Sequence, residues 1–296
     1  MKLGMGGVLF GQDYGVAHPK KCVPEEEVRR ILSRASGEIQ FLDTAISYGD
    51  SEKVIGRCLP KNHHFQIITK TSSFQGNKVS SNHRHSVRLD FDQSLRNLRQ
   101  DGLYGLLVHH ASDILSEGGE DIVSEIMKIK KAGDVEKIGV SAYCRDEVEK
   151  VMERFPLDII QVPVSALDRR LLKDGWLQSM KERGVEVHGR SLFLQGVLLM
   201  DPVVLPPSLE GLKSGLNGFL SFCRQKGFTP LEGAVRFAVD SGVLDGAVFG
   251  VGRCSELEEI LKAVQATEKT STVWPDFPVM EENTLDPRTW THGSPV

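Results

Sequence analysis

Asp43, Tyr48, Lys70 and His109 place an acid, a phenol, an amine and an imidazole at successive points along the chain. Three of them close short apolar runs: Phe41-Leu42-Asp43, Ile67-Ile68-Thr69-Lys70 and Leu106-Leu107-Val108-His109. A charge at the end of an apolar strand is partly desolvated and needs a partner. Asp43 and Lys70, on neighbouring strands, can pair with each other. Such a pair can simply stabilise a loop, but a phenol beside it suggests chemistry. Phenols have an ordinary pKa near 10 and are poor acids at neutral pH. A nearby cation favours the phenolate and lowers that value. A phenol tuned in this way can protonate a carbonyl oxygen as hydride arrives at the carbon.

The elements that must position these groups follow from hydrophobic period. Eight short apolar runs read as strands: Leu3–Leu9, Ile39–Asp43, Gln66–Lys70, Leu103–His109, Lys137–Val140, Ile159–Val162, Val185–His188 and Ala247–Gly250. Amphipathic stretches starting near Pro24, Ser51, Ser86, Glu120, Asp146, Leu171, Pro230 and Ser255 separate or follow them. Strict alternation implies a parallel sheet, because each parallel crossover needs a helix. Eight repeats favour a closed α/β (β/α)8 TIM barrel over an open doubly wound sheet, and no linker or composition break divides the chain into domains. Residues 198–226 and the tail 267–296 fall outside the alternation and read as insertions or loops, the tail packing on or near the pocket. In such barrels function gathers at the C-terminal ends of the strands.

Composition narrows the function further. The 296 residues are 40% hydrophobic and 26% charged, with a formal net charge of -4. This is a folding composition, and its acidity argues against a nucleic-acid partner. No apolar run approaches the roughly 18 residues of a membrane span, and the first residues lack the apolar core of a signal peptide. Five widely spaced cysteines without a C-x-x-C pair suggest reduced thiols, a cytoplasmic setting and no metal site. His83-Arg84-His85 and His63-His64 read as solvated.

The segment Asp43-Thr44-Ala45-Ile46-Ser47-Tyr48-Gly49-Asp50-Ser51-Glu52 resembles the aldo-keto reductase motif D-T-A-x-x-Y-G-x-S-E. The Lys70 and His109 contexts match that family in type and order. The likeness continues through Gly139-Val140-Ser141, Gln161, Ser191 and residues 250–257, and so spans nearly the whole chain. It is nearest to bacterial-type members with a short substrate loop. The segments Phe10–Gly15 and Arg190–Gly196 resemble a subgroup met near sugar metabolism. The resemblance implies a nicotinamide-dependent reductase of a small carbonyl compound, with NADPH as cofactor and NADH as the alternative. Tyr48 matches the general acid, Lys70 the residue that lowers its pKa, Asp43 the partner of that lysine, and His109 the residue that orients the carbonyl. Ser141 and Gln161 match positions that hold the nicotinamide carboxamide, and Ser191 lies in the segment around the pyrophosphate. Arg253 matches a basic residue at the 2′-phosphate, and Glu259 one near adenine. Gly252 lies in a turn that reads equally as a phosphate contact or a simple strand-to-helix connection.

Three departures from the family pattern alter cofactor contacts. Ala142 replaces an asparagine near the nicotinamide. Arg190 stands where many members stack a tyrosine, and a guanidinium plane stacks too. Glu256 and Ile260 replace residues of the adenosine segment, and a carboxylate there accepts from ribose hydroxyls and repels a 2′-phosphate. His110 and Trp274 are the candidates for the substrate pocket. His110 should face away from its neighbour if the strand continues through it. Two other activities fit the same residues. One is a cofactor-binding regulatory subunit with little catalysis, which the complete quartet disfavours. The other is a lyase using Lys70 as a Schiff base, which Asp43 opposes by holding the amine protonated.

Overall fold

A computed structural model describes residues 1–16, 22–74, 81–267, 271–279 and 282–290. Eight parallel strands close into a barrel: β1 (Lys2–Gly6), β2 (Phe41–Asp43), β3 (Gln66–Lys70), β4 (Leu103–Val108), β5 (Val135–Ser141), β6 (Ile159–Pro163), β7 (Glu186–Arg190) and β8 (Gly246–Gly250). Closure is direct, since β1 pairs with both β2 and β8. The barrel helices are α1 (Glu25–Ala35), α2 (Ser51–Cys58), α3 (Ser81–Leu98), α4 (Gly119–Ala132), α5 (Arg145–Met152), α6 (Trp176–Glu182), α7 (Pro230–Asp240) and α8 (Cys254–Thr267).

Local chemistry explains these elements. In α1 the buried residues Val28, Ile31, Leu32 and Ala35 recur at helical spacing, and Glu25, Glu26 and Glu27 complement the positive end of the helix dipole. Thr229 and Glu232 cap α7 reciprocally, with Pro230 in its first turn.

Period-two alternation stacks the barrel interior in layers. Phe41, Ile68, Leu107 and Ile159 form a buried apolar layer with Tyr104. Two residues further along the same strands stand Asp43, Lys70, His109 and Gln161, so the polar layer shares the inward face of the apolar one. Strand β7 contributes Glu186, His188 and Arg190 to the same interior face. Neighbouring strands approach so closely at Gly139, paired with Ile159, that a Cβ there would lie 2.0 Å from the Ile159 carbonyl oxygen.

Three segments depart from the sequence expectation. The first strand stops at Gly6, because its partners end at Asp43 and Gly250, and residues Val8–Gly11 form a helical turn instead. The fourth strand stops at Val108, and a short helix, Ala111–Leu115, begins directly after His110. Residues 198–226 are largely helical rather than loop. Prolines start two short 3-10 turns, and the helix Lys213–Lys226 follows, burying Leu216, Phe219 and Cys223. The proline cluster masked this helix in the sequence. In the tail, 268–270, 280–281 and 291–296 lie outside the described residues; what is described packs Phe277 against Phe219 and Phe222.

Candidate active site

The polar layer opens into a cavity of about 870 Å³ at the C-terminal ends of the strands. It is lined by Asp43, Tyr48, His109 and His110, by Ser141, Tyr143, Arg190 and Ser191, and by Gly252, Arg253, Glu256, Glu259 and Ile260 of the last strand's loop and helix.

Beneath the cavity Lys70, 1% exposed, donates to both Asp43 carboxylate oxygens (2.8 and 2.7 Å) and to the Thr44 carbonyl (3.0 Å). Three acceptors are thus in place for its three ammonium protons, an arrangement that opposes the Schiff-base reading, while burial lowers its pKa. Gln161 is fully buried and donates to Asp43 Oδ1 (2.7 Å). Neither Lys70 nor Gln161 lines the cavity; both lie behind its wall, bonded to the lining residue Asp43. Lys70 Nζ lies 5.1 Å from the centre of the Tyr48 ring.

The turn that carries Tyr48 is clamped from two sides. Ser51 donates to the Gly7 carbonyl (2.7 Å) and shares a hydrogen bond with Thr44 Oγ1 (2.9 Å). Buried Glu52 accepts from Thr69 (2.6 Å) and Asn97 (3.0 Å). Gly11 presses against this turn so closely that a Cβ would sit 2.0 Å from the Tyr48 carbonyl oxygen. Burial, and next the Asp43 carboxylate, push the Tyr48 phenol far above its ordinary value. The Arg190 guanidinium acts in the opposite direction and lowers it, while the Lys70 charge beside the ring is paired with Asp43.

His109 stands edge-on to Tyr48, ring centres 5.5 Å apart, and its Nδ1 is 3.1 Å from the Ser47 hydroxyl. Burial, followed by the charge of Lys70, holds its pKa well below the usual histidine range, so it is neutral at neutral pH. His110 does not face away from it. Because the strand has already ended, the two rings stack at 4.7 Å and both reach the cavity.

Arg190 projects from the end of β7 and touches Ser191 Oγ (3.4 Å) and the Ala142 carbonyl (3.3 Å) through long hydrogen bonds. Burial pulls its pKa down, but the phenols of Tyr143, Tyr14 and Tyr48 outweigh that and raise it. Its Nε is buried without a partner among the described residues. Tyr143 is held between two guanidinium groups, Arg190 at 4.1 Å and Arg288 of the tail at 4.0 Å from the ring centre. The tail thus reaches the rim through Arg288, which also donates to Glu147 (3.0 Å). Trp274 does not line the cavity: its indole N–H donates to Asp240 (2.9 Å), at the end of α7 remote from the pocket, and its ring packs on Phe222 and Phe237.

The loop after β7 carries left-handed backbone at Ser191 (φ 58°), Leu194 (48°) and Gln195 (52°). Strain of this kind costs about 1–3 kcal/mol per residue and gathers at ligand clamps. Buried Leu192 and Leu194 anchor the loop while Ser191 and Gln195 face the cavity. Sequence reasoning missed Tyr14, Tyr143 and Ser47. The aromatic pair gave no signal because each comes from a loop, and Ser47 occupies a variable position within the motif.

A cavity of this volume with mixed polar and apolar walls, an unmet donor on its lining residue Arg190 and an unmet acceptor on Gln161 behind Asp43 fits a nicotinamide dinucleotide. Gln161 Oε1, in register with Ser141 across β5 and β6, is a buried acceptor without a partner among the described residues. It suits a carboxamide N–H, and Arg190 Nε suits a phosphate or carbonyl oxygen.

Comparison with known proteins adds independent information. The model of the Aldo/keto reductase family matches residues 2–277. An L-galactose dehydrogenase of Arabidopsis thaliana is 28% identical over 283 residues, covering 90% of this chain and 85% of that protein. An NADH-specific methylglyoxal reductase of Escherichia coli (strain K12) is 27% identical over 187 residues, covering 57% and 56% respectively. Among solved structures, an aldo-keto reductase from Bacillus halodurans in its holo form superposes with a TM-score of 0.70 at 20% identity, covering 92% of this chain and 88% of that one.

Proposed function

The chain belongs to the aldo/keto reductase family of NAD(P)H-dependent oxidoreductases, and from that premise we propose that it reduces a small aldehyde or ketone to an alcohol, with Tyr48 as general acid. The observation that carries this reading is the convergence of Tyr48 and His109 on one cavity, above a buried Lys70–Asp43 pair. When bound, the reduced nicotinamide supplies a hydride to the carbonyl carbon. Tyr48 gives its proton to the carbonyl oxygen, and the nearby charges of Lys70 and Arg190 stabilise the phenolate that remains. A Ser47 hydroxyl donating to Nδ1 leaves the proton of neutral His109 on Nε2, from which it donates to the substrate oxygen and orients it. Ser141 and Gln161 would hold the carboxamide, and Arg190 would stack on the nicotinamide or meet the cofactor's oxygens. Ser191 and the strained loop around it would hold the pyrophosphate, and Gly252, Arg253, Glu256 and Glu259 would surround the adenosine end. His110 borders the substrate.

Sugars and sugar-derived carbonyls form the first substrate class to examine, since one relative is an L-galactose dehydrogenase and another a methylglyoxal reductase. The test follows the loss of reduced nicotinamide absorbance with a panel of aldehydes, quinones and keto-sugars. Turnover of at least one class is expected; a panel in which no carbonyl is reduced with either NADH or NADPH would overturn the reading.

A further inference from the structure

If the hydride-bearing ring lies beside Tyr48, the remainder of a dinucleotide extends along the cavity to the loop after β8. In barrels of this kind the loops after the last two strands commonly hold phosphate through free backbone N–H groups at a helix N-terminus. Two of those donors are already paired here. The Gly252 N–H donates to the Glu256 carboxylate (2.7 Å), and the Cys254 N–H donates to Glu27 Oε1 (2.7 Å), a residue of α1 that lies 227 positions away in the chain. The other Glu27 oxygen accepts from Arg30 (2.9 Å), so the carboxylate is fixed at both ends. Among the described residues that line the cavity from the loop after β8 and from α8, Arg253 is the only cation, beside the carboxylates Glu256 and Glu259.

We propose that Glu256 and Glu27 make this enzyme selective for NADH over NADPH, opposite to the preference its family motif implies. The inference rests on the cavity being a dinucleotide site. A ribose 2′-hydroxyl donates a hydrogen bond to the Glu256 carboxylate. A 2′-phosphate instead brings a near-dianion against carboxylates, and it gains the loop amides only by displacing Glu256 or Glu27 from a charged hydrogen bond. Arg253 offsets one of these charges. Hydrogen bonds to charged groups are worth about ten- to a hundredfold in affinity, and that sets the scale of the expected discrimination.

Titration of the purified full chain with NADH and with NADPH, read by quenching of intrinsic tryptophan fluorescence, tests this without turnover. We expect NADH to bind about tenfold or more tightly than NADPH. Glu256→Gln keeps an amide oxygen for Gly252 but removes the charge, and brings the two affinities within about threefold, chiefly by tightening NADPH. Glu27→Gln moves the ratio in the same direction, and Arg253→Ala moves it the opposite way, weakening NADPH more than NADH. Circular dichroism melts confirm that each variant is folded. NADPH binding as tightly as NADH to the unmodified chain, or a ratio unmoved by both glutamate substitutions, overturns the selectivity alone. Failure of both dinucleotides to bind overturns the cavity assignment and the selectivity with it.

Discussion

Replacing Lys70 by methionine isolates what the buried ion pair does. The ammonium and the Asp43 carboxylate are 1% and 5% exposed and share bonds of 2.8 and 2.7 Å. Removing one partner leaves the other charge buried, which costs about 3–5 kcal/mol. Two charge-assisted hydrogen bonds at about 1.5–3 kcal/mol each give about 3–6 kcal/mol, which overlaps that range. For a chain of this size that lowers the melting temperature by about 5–8 °C. The double variant Lys70→Met/Asp43→Asn removes the stranded charge while keeping an acceptor for Gln161, and regains about 2 kcal/mol relative to Lys70→Met. Catalysis behaves differently: kcat falls about tenfold or more in the single variant and stays low in the double one, because the cation near Tyr48 is missing from both. Urea unfolding midpoints and steady-state kcat, measured on all four proteins of the cycle, separate the two effects. Strictly additive stabilities would refute the coupling, and recovery of kcat in the double variant would remove Lys70 from the proton-transfer step.

Two further outcomes follow from groups at the opposite edges of the barrel interior. Burial of Glu186 raises its carboxyl, but hydrogen bonds from His188, Lys137 and Tyr104 outweigh it and bring the pKa down to about 2. Its contribution, about 3 kcal/mol, is complete above its unfolded value near 4.5 and is lost as pH falls toward 2; Glu186→Gln should flatten the loss of stability over that window, and an unchanged acid profile would count against the assignment. Ser47→Ala removes one neutral hydrogen bond to His109, worth about 0.5–1.5 kcal/mol, so kcat should fall about three- to tenfold with dinucleotide affinity unchanged; equal kcat in the two proteins would leave His109 positioned by other contacts.

The barrel and its buried polar layer are legible because both depend on short-range pattern. Period two within each strand fixes that Asp43, Lys70, His109 and Gln161 share a face with Phe41, Ile68, Leu107 and Ile159, and parallel adjacency then brings them together. The motif from Asp43 to Glu52 is readable for a similar reason. Ser51 and Glu52 clamp the turn that delivers Tyr48, so the whole segment is one local structure. What escaped depends on loops and on distance in sequence. His110 was misdirected because nothing local marks that the strand ends at Val108. Trp274 sits in a proline-rich tail whose path is set by packing on Phe222 and Phe237, and the same path brings Arg288, which the sequence did not single out, to Tyr143. The pairing of Glu27 with Cys254 joins the first barrel helix to the last, and only barrel closure makes the two neighbours.

The account turns on the Tyr48 proton. Measuring kcat and dinucleotide dissociation constants for Tyr48→Phe, with the best carbonyl substrate from the panel, tests it most directly. The hydroxyl acts in the transition state and contributes little to ground-state cofactor binding, so kcat should fall by about 10²–10⁴-fold while cofactor affinity is unchanged. A phenylalanine variant that keeps near-native kcat would contradict the assignment of Tyr48 as the general acid.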